Sequence, residues 1–152
     1  MKAIILAGGR GKRLRPITDY VPKPLIPINN MPIIEWQIKY LKKHGISEVI
    51  ICSGYKSEMI KNYLANKKLG VKIIFSIESK PLGTGGAIKK AAKKIKDNSF
   101  IVINGDIITN IDLKKLIGKE NSIASIQLRT KFGILQTEEN KIIKFDEKKE
   151  IT

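Results

Sequence analysis

The chain has 152 residues, the size of a single domain that can bury its own core without disulfides or a structural metal. Its hydrophobic content of 42% includes no apolar run near the ~18 residues of a membrane helix, and its one cysteine, Cys52, excludes an internal disulfide. The formal net charge of +15 attracts anions, but the lysines follow the polar faces of helical segments without an aromatic platform, which disfavours nucleic acid as a partner. The start, MKAIILAGG, does not resemble a signal peptide, which predicts a cytoplasmic protein.

Short β-branched runs alternate with amphipathic stretches, a pattern typical of an α/β domain with a largely parallel sheet. In chain order we predict strands at 2–7, 48–53, 71–77 and 100–104, helices between Asn30 and Gly45, at 56–67 and at 83–96, a short helix capped by Asp112, and final strands with a turn at Glu139-Asn140. Asn30 and Ser57 are candidate N-caps, and Pro32 suits the first helical turn. Cys52, within the second strand, is expected to be a small core residue.

Three predicted loops follow strands at their carboxyl ends, at 8–18, 78–86 and 105–110. This edge of an open α/β sheet is where ligands bind. The first loop, in LAGGRGKRLRPITDYVPKPLIPI, holds three of the chain's four arginines, Arg10, Arg13 and Arg15. Its glycines permit close backbone approach to an anion, and arginine offers a fork of donors matched to phosphate oxygens. We therefore interpret the arginines as placed for directional contact with phosphate.

Neither familiar glycine motif describes this loop. It does not fit G-x-x-x-x-G-K-[ST], because no Ser or Thr follows Gly11-Lys12, and G-x-G-x-x-G would require glycine at Leu14. A simple tight turn would explain the glycines but not the clustered arginines. Further along the loop, Lys23 stands between Pro22 and Pro24, whose stiffness predicts a positioned ammonium.

The other two loops each allow two interpretations. Asp106 follows glycine at a strand end, which suits a turn, but its neighbouring loops favour a carboxylate that holds Mg²⁺ beside substrate oxygens. The segment PLGTGGA, 81–87, opens a helix with Thr84 as a candidate cap. Its glycines equally suit a slot lined by backbone for a flat base.

These residues resemble the sugar-1-phosphate nucleotidyltransferases, also called NDP-sugar pyrophosphorylases. The matching pieces are LAGGRGKRLRPIT…PKPLIPI, GTGGA, NGD and, more loosely, FGI…KIIKFDEKK, in the family's order. PLGTGGAI is most similar to guanylyltransferases that make GDP-mannose or GDP-heptose, with enzymes that form UDP- or dTDP-sugars as the alternative. The resemblance implies a Rossmann-like, three-layer αβα nucleotidyltransferase fold with a mostly parallel sheet, truncated at its C-terminal side.

The resemblance also implies the reaction and the roles of individual residues. A sugar-1-phosphate would attack the α-phosphorus of a nucleoside triphosphate, GTP being favoured, and release pyrophosphate. Arg13 and Lys23 would be catalytic, Asp106 would hold Mg²⁺, and Glu147 and Lys148 would meet the sugar phosphate. The implied nucleotide-binding residues are Leu6, Ala7, Gly8, Gly9, Gly11, Pro81, Gly83, Thr84 and Gly85.

One departure from the family pattern concerns the last residues. Lys149 stands where the family usually has Pro, and the chain stops at Thr152, before the family's Asn-Ala-Gly segment and second metal-binding aspartate. We expect one partial domain, 1–152, with a nucleotide-binding core at Met1–Asn110 and the start of a sugar-binding part at Ile111–Thr152. An impaired or regulatory nucleotide-binding module is the alternative to an active enzyme. No membrane or nucleic-acid partner is expected, and a homo-oligomer is left open.

Overall fold

The computed structural model describes residues 1–119, 121–125, 128–129, 134–139, 141–146 and 150–151, which fall into two compact units, Met1–Asn110 and Ile111–Thr152. The strands of the first unit are β1 (Lys2–Ala7), β2 (Pro27–Ile28), β3 (Met31–Pro32), β4 (Glu48–Ser53), β5 (Lys72–Ile77) and β6 (Phe100–Asn104). Its α-helices are α1 (Ile17–Tyr20), α2 (Ile33–Lys43), α3 (Ser57–Ala65) and α4 (Gly83–Ala92), with 3₁₀ helices at Lys12–Leu14 and Lys23–Leu25. No helix in these described ranges has the length and apolar character needed to cross a bilayer.

Within the described residues, β1, β4, β5 and β6 form a four-stranded parallel sheet in the order β5-β4-β1-β6. Leu6 in β1 lies opposite Cys52 in β4 and Asn104 in β6, so that these strands end together at one edge. Parallel neighbours require crossover connections, which the chain supplies as helices between the strands. The predicted α/β class and its four core strands are confirmed, with the third strand beginning at Lys72 rather than Val71.

Both faces of the central strands are buried, which is usual for a parallel sheet. On one face, Ile4, Ile50 and Cys52 pack against Ala87 and Ala91 of α4. The alternate residues on the opposite face are buried as well, namely Ala3, Ile5, Val49 and Ile51. The buried residues of α2 and α3 complete the core, namely Ile34, Ile38, Leu41, Ile60 and Leu64. Each such side chain contributes roughly 1.5–3 kcal/mol by burial.

The predicted start of α2 is wrong, because a β-hairpin occupies the expected cap. Asn29 and Asn30 have φ of 49° and 61° and form the two-residue turn between β2 and β3, where Ile28 pairs with Met31. Asparagine tolerates this left-handed conformation, and paired left-handed residues match the twist of a tight hairpin. Asn30 therefore does not cap α2, which begins one residue after Pro32.

The predicted cap of α3 is also wrong. Ser57 is the first helical residue, and Lys56 precedes it in a left-handed conformation with φ of 49°. The Ser57 hydroxyl lies 2.8 Å from the hydroxyl of Ser53 at the end of β4. This contact joins helix and strand instead of satisfying the free amides at the helix start.

The second unit contains a 3₁₀ helix at Leu113–Lys115 and the strands β7 (Leu128–Arg129), β8 (Ile134–Glu138), β9 (Lys141–Asp146) and β10 (Glu150–Ile151). Asp112 caps the 3₁₀ helix, as predicted, because its Oδ1 accepts from the Lys114 amide at 3.1 Å. β8 pairs antiparallel with β9, and β7 with β10. The predicted turn is confirmed at Glu139, which has φ of 45°, and Asn140 lies outside the described residues.

A buried carboxylate joins α2 to α3. Glu35 accepts from Lys39 at 2.8 Å, from the Tyr63 hydroxyl, and from Lys67 at 3.3 Å. The hydrogen bond from Lys39, followed by that from Tyr63, lowers the pKa of Glu35 from 4.5 to about 2. Because the folded-state pKa lies below the unfolded value, Glu35 stabilises the fold above about pH 4.5, and this contribution is lost as the pH falls towards 2.

We therefore expect Glu35→Gln to lower the free energy of unfolding at pH 7 by about 1.5–3 kcal/mol, the scale of hydrogen bonds to charged groups. The variant should also lose less stability than the parent between pH 5 and pH 3. Urea unfolding at the two pH values would measure both effects. Glu58→Gln is the matched control, since this carboxylate is exposed and pairs only with Lys61 among the contacts described. Equal changes in both variants would contradict the expectation.

Candidate active site

The loops after β1, β5 and β6 line one cleft of about 580 Å³ within the first unit. The cleft lies at the edge where the parallel strands end, which is the position expected from the topology. The predicted site residues that line it are Leu6, Ala7, Gly8, Gly9, Gly11, Arg13, Lys23, Pro81, Gly83, Thr84 and Asp106. Residues not predicted also line it: Lys12, Leu14, Pro24, Cys52, Glu78, Ala87, Asn104 and Gly105. Gly85 lies in α4 outside this lining, and Glu147 and Lys148 lie outside the described residues.

Partly buried hydrogen bonds hold the glycine loop, the segment 8–18, in place. Gly11 has φ of 63°, and a β-carbon there would lie 2.8 Å from the Thr18 methyl group, so both conformation and space favour glycine. The fully buried Thr18 donates from its hydroxyl to the Gly11 carbonyl at 3.0 Å, and the backbone carbonyl of Thr18 accepts from the Tyr55 hydroxyl at 2.8 Å. The Tyr55 amide donates to the Gly8 carbonyl at 3.3 Å. The loop is thus fixed near both of its ends.

The glycine before Asp106 permits close contact between two strand ends. The Gly105 amide donates to the Leu6 carbonyl at 2.8 Å, and a β-carbon on Gly105 would lie 2.4 Å from the same oxygen. No larger side chain fits without moving one of the two strands. This contact holds the residue before Asp106 against the end of β1, where the glycine loop begins.

Lys23 and Asp106 meet across the cleft as an ion pair, with Nζ 2.6 Å from Oδ2. Lys23 begins a 3₁₀ helix between Pro22 and the buried Pro24, so the chain entering and leaving it is restricted. Both charged side chains remain partly exposed, at 32% and 43%. A positioned ammonium and a carboxylate are therefore accessible to a ligand that enters the cleft.

The donor set around Asp106 fits a magnesium ion that shares its coordination with substrate. Among the described residues, no three His, Cys, Asp or Glu side chains come together as a metal cluster. Mg²⁺ is commonly held by one or two carboxylates together with phosphate oxygens and waters, and such a site needs no protein cage. Asp106 supplies one such carboxylate at the cleft.

The structure separates the three arginines of the first loop. Arg13 lines the cleft, whereas Arg10 and Arg15, which are also described residues, do not. Arg15 instead pairs with Asp19, four residues later, with Nε 3.1 Å from Oδ1. The interpretation that the arginines face phosphate therefore fits Arg13 and not the other two.

Glu78 occupies the space between the glycine loop and the start of α4. Its Oε2 accepts from the Leu82 amide at 3.2 Å, and its Oε1 would lie 3.2 Å from a β-carbon placed on Gly8. Leu82 is the N-cap residue of α4 and makes no side-chain cap, while Thr84 lies inside the first turn. Thr84 is therefore not the cap. Glu78, unlike Asp106, is not among the predicted site residues, although its position directly after β5 is a usable signal.

Cys52 lies below the cleft in the sheet core and is 1% exposed. Its Sγ faces the Ala87 carbonyl at 3.6 Å, and burial raises the pKa of the thiol from 9.0 to about 11. A thiol that stays protonated at neutral pH is a poor nucleophile. Its predicted role as a small core residue is confirmed.

Comparison with known proteins gives consistent matches over nearly the whole chain. The family model described as "Nucleotidyl transferase" matches residues 2–151. The D-glycero-alpha-D-manno-heptose 1-phosphate guanylyltransferase of Aneurinibacillus thermoaerophilus is 44% identical, with 97% of this chain and 68% of that protein covered. Its counterpart in Campylobacter jejuni is 46% identical, with 97% and 69% covered. The crystal structure of HddC from Yersinia pseudotuberculosis complexed with GMP-PN matches with a TM-score of 0.73 at 32% identity, covering 98% of this chain and 70% of that one.

Proposed function

Since this chain belongs to the nucleotidyl transferase family, we propose that it transfers a nucleotidyl group from GTP to a sugar-1-phosphate, forming a GDP-sugar and pyrophosphate. The Rossmann-like α/β fold expected for the family is confirmed. The main support for the proposal is that Arg13, Lys23 and Asp106 line the same cleft as the glycine loop. The names of the relatives favour a manno-configured heptose or mannose as the sugar.

The proposed reaction is one in-line displacement at phosphorus. A phosphate oxygen of the sugar-1-phosphate forms a bond to the α-phosphorus of GTP. The bond from this phosphorus to the oxygen that bridges the α- and β-phosphates breaks, and pyrophosphate leaves with the electron pair. Such a reaction needs positioning and neutralisation of charge more than covalent help from the protein.

The side chains in the cleft divide these tasks. Arg13 is proposed to bind the β- and γ-phosphates and the departing pyrophosphate, because its guanidinium stays charged and matches phosphate geometry. Lys23 is proposed to contact the α-phosphate, which would replace Asp106 as the partner of the ammonium. Backbone amides of Gly8, Gly9 and Gly11 would face the remaining phosphate oxygens.

Asp106 is proposed to hold Mg²⁺ together with substrate oxygens. When bound, this ion would offset the negative charge that the phosphates bring into the cleft. The nucleotide base is proposed to lie against Pro81, Gly83, Thr84 and Gly85. Glu147 and Lys148 remain proposed contacts of the sugar and its phosphate, within the proposed sugar-binding part at Ile111–Thr152.

The position of the Glu78 carboxylate in the cleft supports the proposal that the base is guanine. A carboxylate accepts hydrogen bonds, and guanine carries two adjacent donors, N1–H and the exocyclic amino group, on one edge. Uracil and thymine present a single N–H flanked by carbonyl oxygens, which a carboxylate would repel. Glu78 stands beside the residues proposed for the base, since it holds the amide of Leu82. Its chemistry therefore favours GTP over UTP and dTTP.

We expect Glu78→Gln to lower the ratio of kcat/KM for GTP to that for UTP by roughly 10–100-fold, the scale of one lost pair of base contacts. Glutamine keeps the size of the side chain and can still accept from Leu82. Steady-state pyrophosphate release with each nucleotide would measure the ratio. Glu58→Gln, which removes an exposed carboxylate outside the cleft, should leave it unchanged. An unchanged ratio in Glu78→Gln would exclude Glu78 as the residue that selects guanine.

The whole proposal is tested by supplying GTP, UTP, dTTP and CTP in turn with mannose-1-phosphate or the manno-heptose-1-phosphate and Mg²⁺. Pyrophosphate and the GDP-sugar should accumulate with GTP. Product only with UTP or dTTP would assign the alternative nucleotide. Thermal stabilisation by GTP without product from any pair would instead identify a nucleotide-binding module without turnover.

A further inference from the structure

A buried glutamine of α2 reaches the turn that carries Asp106. The side chain of Gln37 is 2% exposed. Its Nε2 donates to the carbonyl of Asn104 at 2.6 Å and to the carbonyl of Ile107 at 2.8 Å. Asn104 and Ile107 flank Gly105 and Asp106 in the chain. One amide group thus holds both ends of the turn at whose centre the carboxylate stands.

The turn has few other backbone restraints among the described residues. The Gly105 amide is held by Leu6 at 2.8 Å, and the Ile107 amide reaches the Asn104 carbonyl at a long 3.3 Å. The Asp106 side chain itself meets Lys23, a partner that the proposed reaction would give to a phosphate. The backbone position of Asp106 therefore depends on β1 from one side and on Gln37 from the other.

Gln37 also carries an energetic cost. Its Oε1 is buried without a hydrogen-bond partner among the described residues. An unsatisfied buried acceptor destabilises a fold, and an apolar side chain of the same shape would remove that acceptor but would also take this donor away from the carbonyls of Asn104 and Ile107. A neutral amide is, however, the side chain that supplies two donors from one nitrogen without adding a charge beside the metal site. The two bonds to the turn explain why glutamine suits this place.

We infer that Gln37 is a positioning residue for Asp106, which sets the carboxylate where it can bind Mg²⁺ together with the nucleotide. The inference rests on the proposed function in that the nucleotide brings the other oxygen ligands. Residues that orient a metal ligand affect metal affinity by about 10–100-fold when they are replaced. Gln37 should thus act on the metal-dependent part of nucleotide binding and leave the metal-independent part alone.

The test measures the Kd of GTP by calorimetry, once with Mn²⁺ and once with EDTA, without any sugar-1-phosphate. The gain in affinity caused by Mn²⁺ is compared between the parent, Gln37→Met and Gln37→Leu, which remove both donors. We expect the gain in GTP affinity caused by Mn²⁺ to be about tenfold smaller in both variants than in the parent. The Kd measured in EDTA should equal that of the parent. Ile38→Val is the matched control, since it trims the neighbouring buried residue of α2 and should retain the full gain.

Three binding results would overturn the inference. The first is a gain in GTP affinity with Mn²⁺ that is as large in the Gln37 variants as in the parent. The second is a loss of this gain in Ile38→Val equal to that in the Gln37 variants, and the third is a higher Kd for GTP in EDTA in the Gln37 variants. Each result would assign Gln37 a role in packing alone. Failure of both Gln37 variants to fold would do the same. The transfer assay is separate, so a parent protein that binds GTP with Mn²⁺ but forms no GDP-sugar would refute the proposed function and leave the inference standing.

Discussion

Arg13→Ala is expected to lower kcat/KM for pyrophosphate release by roughly 10²–10³-fold, the scale measured when one donor to a developing negative charge is removed. Arg13 is the arginine of the glycine loop that lines the cleft, and its fork of donors would meet the phosphates that leave. A discontinuous assay at saturating sugar-1-phosphate, with GTP varied across its KM, would separate binding from turnover. We expect the loss to fall mainly on kcat, because the charge on the leaving group grows in the transition state.

The control for this variant is Arg10→Ala, which removes the same charge from the same loop at a residue that does not line the cleft. It should stay within about threefold of the parent, since an exposed charge acts through a screened field. Lys12→Ala tests an intermediate case, because Lys12 lines the cleft but offers a point charge rather than a planar fork. It should lose far less activity than Arg13→Ala. Equal losses in all three variants would show that these side chains act as general attractants for anions.

Asp106→Asn should lower turnover by about 10³-fold at a fixed Mg²⁺ concentration, because charge stabilisation by a bound metal is worth several kcal/mol. The substitution keeps the shape of the side chain and removes the carboxylate charge that now lies 2.6 Å from Lys23. The gain in GTP affinity produced by Mn²⁺ should fall with it. Both losses are expected because Asp106 is the residue proposed to hold the cation together with the phosphates.

Asp97→Asn is the matched control for Asp106→Asn, since Asp97 is an exposed aspartate that does not line the cleft. It should leave turnover and the Mn²⁺ gain unchanged. If Asp106→Asn kept activity within about threefold of the parent, the metal would have to be held elsewhere. A loss of turnover with an intact Mn²⁺ gain would instead indicate that Asp106 serves to orient Lys23.

The sheet was predictable from sequence because each core strand is a short apolar run between polar segments. Such runs are typical of strands in a parallel sheet, and β1 and β4 are indeed buried on both faces, whereas β5 and β6 at the two edges of the four-stranded sheet are only partly buried. The hairpin at Asn29 and Asn30 was not predictable in the same way. Asparagine suits a helix cap and a left-handed turn equally well, and the paired strands around it are two residues long and contain prolines.

The position of the cleft was predictable from the topology, since loops that follow parallel strands meet at one edge of the sheet. The roles of individual side chains in the cleft were harder to predict from the sequence. Glu78 is the one carboxylate in the segment 78–86, and its nearness to Gly8 depends on the order of the strands. Gln37 did leave a signal, because it stands three residues after Ile34 and one before Ile38 on the apolar face of α2. A polar residue in such a stripe requires a partner, but its partner is 67 residues away in the sequence.

The buried thiol in β4 has a practical consequence for labelling. The sequence contains one cysteine, and that residue is packed against α4 with its pKa raised to about 11, so alkylating reagents at neutral pH meet almost no thiolate. A cysteine introduced at an exposed position would therefore be the group that a fluorophore or spin label modifies. Dyes could be attached at chosen points around the cleft rim without first removing the native sulfur, and the packing between strand and helix would stay intact.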